Sequence, residues 1–342
     1  MSGKIIQSEI AEIPEVFQRI LDNQKIFDDA ISLIKAREIN SVILVARGTS
    51  AHAALFIKTL IESEMGLPVG LAFPSAVSIN NATLNYRNTL VIGLSQSGQS
   101  PDLLSYLEAA TKSGALVITM TNDANSPMAK IADLHIDILA KPEKALAATK
   151  SYSAQLLAGL ILVRSWSGAA KDLGAAAKYV SELINGNLIT EELLNKLKSR
   201  ANLVFVGRGL GLANTREAAL KVQETSYRFV QGFSAADFVH GPMAAVDKNC
   251  NVVVVAPGGI SERALEKAVT EARTRAGEVI WLGSGAFAAT GELSVSGCRS
   301  ADQALNCVVD ATLIQLLTVK FAISLGNDPD TSRGLAKVTL TF

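Results

Sequence analysis

The residues best suited to chemistry are Ser95-Gln96-Ser97-Gly98-Gln99-Ser100, which lie between the strand pattern Thr89 to Leu94 and a helical pattern opening with Pro101. Proline is a favoured first helical residue. Three hydroxyls and an amide at a helix N-terminus make an anion site, because the first N–H groups of a helix are unpaired and carry partial positive charge. A phosphate monoester suits such a loop. A serine-rich N-cap explains one of these hydroxyls but not three with a glutamine among them, so spacing alone leaves both readings open. Gly48-Thr49-Ser50 follows the strand near 42–46 in the same manner. It belongs at the same sheet edge, since ligands of open α/β sheets gather beyond the carboxyl ends of the strands.

Four further side chains offer acid, base or nucleophile. Lys221 and Glu224 stand at i, i+3 on one face of a helical stretch, which by spacing alone reads as a surface ion pair. His240 sits in Asp237-Phe238-Val239-His240-Gly241-Pro242, where Gly-Pro ends any regular element and leaves the imidazole on a loop. His52, in a helix behind the first loop, and His135, on a strand, read as packing residues. Lys337 is flanked by small and apolar residues, and burial there would favour a neutral, nucleophilic amine. The three histidines are far apart and none pairs with cysteine or carboxylate at ligand spacing, so no metal is expected. Gly207-Arg208-Gly209-Leu210-Gly211 has the wrong spacing for a dinucleotide fingerprint, and no G-x-x-x-x-G-K-[ST] is present. No cofactor is expected.

The elements that must position these residues are short Val/Ile/Leu runs alternating with longer helical patterns, the signature of a buried parallel sheet. Strands are expected near 42–46, 68–72, 89–94, 115–119 and 134–138. The Arg-Gly pairs Arg47-Gly48 and Arg208-Gly209 both follow strands. Their offset, 208 less 47 or 161, also carries Gly98 onto Gly259. One offset matching two landmarks indicates an internal duplication. The expected architecture is α/β, with two tandem doubly wound, flavodoxin-like parallel-sheet subdomains and a C-terminal tail. Expected boundaries are a helical segment at 1–33, the first subdomain at 34–167, a helical connector at 168–198, the second subdomain at 199–325 and a tail at 326–342 carrying Lys337.

The 342 residues are 49% apolar and 19% charged with mean hydropathy +0.27, which excludes a disordered chain. Lys+Arg and Asp+Glu are 32 each, so no net field recruits nucleic acid or an anionic membrane. Leu156 to Val163, the apolar stretch that stands out, falls short of the roughly 18 residues of a spanning helix. The first residues lack the apolar run of a signal peptide, and three unpatterned cysteines suggest no disulfide framework. A cytoplasmic location is expected.

Taken together, these segments resemble the sugar isomerase domain family, most closely the isomerase half of glucosamine-6-phosphate synthases. The motifs that carry the resemblance are the Arg-Gly strand ends, Ser-Gln-Ser-Gly-x-Ser at 95–100, Ala148-Thr149-Lys150, Glu217 to Tyr227, His240-Gly241-Pro242 and Leu335-Ala336-Lys337. The resemblance implies that Thr49, Ser50, Ser95, Gln96, Ser97 and Ser100 hold a sugar phosphate. It implies that Glu224 shuttles a proton between C1 and C2 with Lys221 in support, that His240 opens the sugar ring from across a homodimer interface, and that Lys337 forms a Schiff base. Where the synthases read Ser-Thr-Lys, this sequence reads Ala148-Thr149-Lys150, so a hydroxyl near the sugar is missing at Ala148.

The synthases begin with a glutamine-hydrolysing domain, whereas here the isomerase pattern begins almost at once and the first cysteine is Cys250. The expected activity is therefore a glucosamine-6-phosphate deaminase, releasing fructose 6-phosphate and ammonia. A fructosamine-6-phosphate deglycase, a galactosamine-6-phosphate deaminase and a plain phosphosugar isomerase would use the same residues. A non-catalytic phosphosugar sensor is the alternative of another class, although it would have little use for Glu224, His240 and Lys337 together.

Overall fold

The computed structural model describes residues 2–169, 171–285, 287–331, 333, 334 and 337. Its strands are β1 Ser41–Val45, β2 Val69–Leu71, β3 Thr89–Leu94, β4 Leu116–Thr121, β5 Leu134–Asp137, β6 Asn202–Gly207, β7 Gln231–Ser234, β8 Cys250–Ala256, β9 Glu278–Gly283 and β10 Leu293–Ser296. They form two five-stranded sheets, ordered β2-β1-β3-β4-β5 and β7-β6-β8-β9-β10, and every pairing is parallel. Both sheets thus repeat the same doubly wound order. The central strands β3, β4 and β8 are buried along their whole length, which is why each carries a run of consecutive apolar residues rather than a strict alternation. The duplication extends to the backbone. Gly48 and Gly209 have φ of 52° and 56°, and Gly98 and Gly259 have 63° and 72°, a left-handed region that glycine enters without steric cost.

Contacts divide the chain into two units. The N-terminal unit holds residues 15–143 and 150–174 together with Lys337. In it, helix Lys150–Ser167 packs on helix Gly48–Met65, and Gly159 makes the approach possible because a Cβ there would collide with Ile57. His52 lies in helix Gly48–Met65 and His135 in β5. Burial pushes the His135 imidazole below its ordinary pKa, and Nδ1 lies 3.2 Å from Thr119 Oγ1, as expected of a packing residue.

The C-terminal unit holds residues 2–14, 144–149 and 175–334. The segment read as a connector contributes helices Ala176–Asn185 and Glu191–Lys198, which bury Val180, Leu183, Leu193, Leu194 and Leu197. Helix Gln303–Ser324 packs along helix Gly211–Ser226. By length and composition it is apolar enough to cross a membrane, which the sequence reading overlooked. Its most apolar window is 78% buried inside the protein, so it serves as a core helix. The turn Asn327-Asp328-Pro329-Asp330 that follows it has a second use. Asp328 accepts a hydrogen bond from Gly3 N at 2.8 Å, and Asp330 accepts from Ile5 N and Ile6 N at 2.7 and 2.9 Å. These carboxylates cap helix Lys4–Ala11, whose own N-cap, Gly3, has no side chain to do so. The Leu335-Ala336 part of the closing motif, with residues 338–342 of the expected tail, lies outside the described residues.

Candidate active site

In the N-terminal unit the two loops differ in how they spend their hydroxyls. Ser50 is buried in the first turn of helix Gly48–Met65, and its Oγ accepts from Gln155 Nε2 at 3.1 Å, while Thr49 is half-buried. Ser95 is buried, and its Oγ accepts from Gly98 N at 3.0 Å. Gly98 lies so close to Ser126 that a Cβ would collide with its hydroxyl. These contacts fold the loop back on itself. Gln96, Ser97 and Ser100 remain half-exposed. Ser100 takes the N-cap position of helix Pro101–Lys112, yet its side chain makes no capping hydrogen bond. The bland capping role therefore does not consume that hydroxyl, and the helix N-terminus keeps its capacity for an anion.

Sequence reasoning missed the brace between these loops. Arg47, just after β1, grips Asp102 in the first turn of helix Pro101–Lys112, with Nε and Nη2 each 2.8 Å from Oδ2. Asp102 is buried and also accepts from Leu103 N at 2.9 Å. No local pattern announces a pairing across 55 residues.

Lys337 is 28% exposed rather than buried among apolar residues, and its Nζ lies 3.3 Å from Glu143 Oε2. That ion pair corrects the expected apolar setting of the amine. Glu143, which the sequence reading did not single out, also accepts from Ser151 N at 3.1 Å and Ser151 Oγ at 2.7 Å, at the start of helix Lys150–Ser167.

In the C-terminal unit helix Gly211–Ser226 carries the acid–base candidates. Lys221 is 1% exposed and lies between two carboxylates on its own helix. Its Nζ is 3.4 Å from Glu217 Oε1 and hydrogen-bonded to Glu224 Oε2. Burial alone would lower its pKa, but Glu217 and Glu224 together outweigh burial and push it up. Lys221 is therefore a fixed cation and not a base. Glu217 is buried, whereas Glu224 keeps 21% of its side chain open. The surface ion pair suggested by spacing is thus a buried cluster with one accessible carboxylate. The i, i+4 position of Glu217 was the available signal.

His240 is exposed directly after helix Ala235–Val239, and among the described residues its imidazole makes no hydrogen bond. Ala148 is half-buried on a segment tied down in the same unit: the Glu9 carboxylate accepts from the Lys144 and Ala145 amides, and the Thr149 carbonyl accepts from Gln315 Nε2 at 3.0 Å. The repeat of the 95–100 loop, around Gly259, is filled by the core helix. Gln303 Nε2 donates to Gly258 O at 2.6 Å and to Ser261 Oγ, and Asn306 Nδ2 donates to Pro257 O at 3.1 Å. Among the described residues no group of three His, Cys, Asp or Glu side chains could hold a metal ion. Burial pushes the thiols of Cys250 and Cys298 up to about 11 and that of Cys307 well above its ordinary value, so none is poised as a thiolate.

The SIS domain model matches residues 35–165 and 196–324. The glutamine–fructose-6-phosphate aminotransferase (isomerizing) of Aquifex aeolicus is 31% identical over 339 residues, which are 96% of this chain and 56% of that protein. The chain spans about half the length of the curated relatives it matches. A crystal structure from Silicibacter pomeroyi, of a protein assigned as a phosphosugar isomerase, is 31% identical with a TM-score of 0.87 and covers 96% of this chain and 100% of that one. The C-terminal domain of the glucosamine-fructose-6-phosphate aminotransferase from Francisella tularensis shares the fold, with a TM-score of 0.83 at 24% identity, over 95% of this chain and 97% of that one.

Proposed function

The chain belongs to the SIS domain family, and from that premise we propose that it is a phosphosugar isomerase acting on an amino sugar: a deaminase that converts glucosamine 6-phosphate and water to fructose 6-phosphate and ammonia. The observation that carries the reading is the Glu217–Lys221–Glu224 cluster. Aldose–ketose interconversion needs one base that removes a proton at C2 and returns it at C1. Glu224 is a carboxylate with an accessible edge, held in one orientation by a buried cation.

In this reading Thr49, Gln96, Ser97 and Ser100 bind the phosphate beside the helix N-termini, and Ser50, Ser95 and the Arg47–Asp102 brace fix the loops. Ala148 borders the sugar without supplying a hydroxyl. His240 opens the ring, acting from the partner in a homodimer, and Glu224 then moves the C2 proton to C1 to leave an imine at C2. The Lys337 amine displaces ammonia from that carbon, and water hydrolyses the lysine imine to the ketose. The same chemistry run backwards is amination of a ketose phosphate, in keeping with the names of the aligned aminotransferases. The reading places the reaction in the cytoplasm.

The test is release of ammonia and fructose 6-phosphate from purified protein given glucosamine 6-phosphate without glutamine or metal. Stoichiometric release that Glu224→Gln abolishes is the expected result. Turnover of galactosamine 6-phosphate or a fructosamine 6-phosphate instead changes the substrate. Binding of all three without turnover makes the protein a sensor.

A further inference from the structure

We propose that Glu143 is the proton acceptor and donor for Lys337, so that the imine-forming unit is the Glu143–Lys337 pair and not the lysine alone. The inference rests on the Schiff-base reading of Lys337 given above. Its basis is an asymmetry in burial. The Glu143 side chain is fully buried, while that of Lys337 is 28% exposed. A fully buried carboxylate costs desolvation unless polar partners hold it in place, whereas a cation that reaches solvent keeps room to move. Here one end is fixed and the other opens outward, 194 residues away in sequence.

Glu143 is held by the first turn of a helix, where Ser151 N and Ser151 Oγ donate to its two oxygens at 3.1 and 2.7 Å. The partial positive charge of a helix N-terminus favours a carboxylate there. Its contact with Lys337 Nζ, at 3.3 Å, sets it against the reacting nitrogen.

Imine formation by a lysine needs a group that takes its proton as the nitrogen attacks, because an ordinary lysine is an ammonium at neutral pH, with a pKa of about 10.4. At rest the Glu143 carboxylate favours that ammonium, and during attack it is the acceptor within reach. The ammonium gives one proton to Glu143 Oε2, and the freed amine adds to the carbonyl carbon. After the nitrogen proton moves to the former carbonyl oxygen, the Glu143 carboxylic acid returns its proton to that hydroxyl. Water leaves, and the products are an iminium and the original carboxylate. No other reactant is required.

The experiment is borohydride trapping of fructose 6-phosphate on the full chain, read as a mass increase mapped to Lys337, across pH 6 to 10. Wild type should trap readily at pH 7. Glu143→Gln should trap roughly 10²-fold more slowly at pH 7, and recover as pH rises and solvent removes the lysine proton. No trapping by wild type removes the Schiff-base reading itself. Trapping by wild type with an unchanged rate and pH profile in Glu143→Gln overturns this proposal alone, as does a loss of equal size at every pH. Because Glu143 also receives Ser151 N–H, folding is checked by circular dichroism. Should Glu143→Gln not fold, Glu143→Asp keeps the charge and shortens the reach: slower trapping at pH 7 with recovery at high pH supports the pair, and a wild-type rate overturns it.

Discussion

Replacing Asp310 by asparagine should stabilise the C-terminal unit, and more so as pH rises. Asp310 is buried on the core helix Gln303–Ser324. Oδ1 accepts from Cys298 N at 2.6 Å, and Oδ2 has no hydrogen-bond partner among the described residues. Burial pushes the carboxyl from 3.8 up to about 7, against the smaller opposing pulls of the Cys298 N–H and Arg299. A folded-state pKa raised above the unfolded value means that the stability contribution is complete below 3.8 and is lost as pH rises through about 7. At about 1.4 kcal/mol per unit, ionisation costs the wild type roughly 1–2 kcal/mol at pH 5 and about 4 kcal/mol at pH 8. The substituted amide never ionises, can still accept from Cys298 N through its oxygen, and adds only a pH-independent offset for its NH2 group. Urea unfolding followed by the fluorescence of the buried Trp281, at pH 5 and pH 8, reads the difference. The gap between Asp310→Asn and wild type should widen by about 2–3 kcal/mol over that interval. A gap that is constant or narrows refutes a buried, titrating carboxyl at this position.

Lys221→Met should abolish turnover and destabilise by about 3–5 kcal/mol, because it takes away the buried cation that faces the buried Glu217 carboxylate. Adding Glu217→Gln should restore much of that stability in urea titrations but none of the activity. On the proposed function, Arg47→Ala should raise KM for the phosphosugar about tenfold with a smaller change in kcat, since it releases the brace between the two loops proposed to bind phosphate without touching the proposed base Glu224. Asp330→Ala uncaps helix Lys4–Ala11 and should lower stability by about 1 kcal/mol with unchanged kinetics. If His240 acts from a partner subunit, specific activity should fall as the protein is diluted through its dimer dissociation range, and mixing His240→Ala with Glu224→Gln should recover activity that neither has alone.

The repeat, the strands and the loops were legible in the sequence for a physical reason. Strands covered on both faces favour apolar residues at consecutive positions, so β3, β4, β6 and β8 stand out as valine-, isoleucine- and leucine-rich runs. Edge strands escape this rule. Strand β7, Gln-Gly-Phe-Ser, pairs on one side only and carries no such pattern. Glycines held at positive φ kept the 161-residue offset visible, because few other residues tolerate that backbone.

What tertiary structure alone decided is which charges meet and which are hidden. Spacing could put Lys221 and Glu224 on one helix face, but only packing makes Lys221 a buried cation and leaves Glu224 open. Arg47 with Asp102, and Lys337 with Glu143, are ion pairs between residues far apart in the chain. Hydrophobic periodicity is written locally because each element must bury one face. The partner of a charge is set by the route of the whole chain, and its consequence by how much water that route excludes.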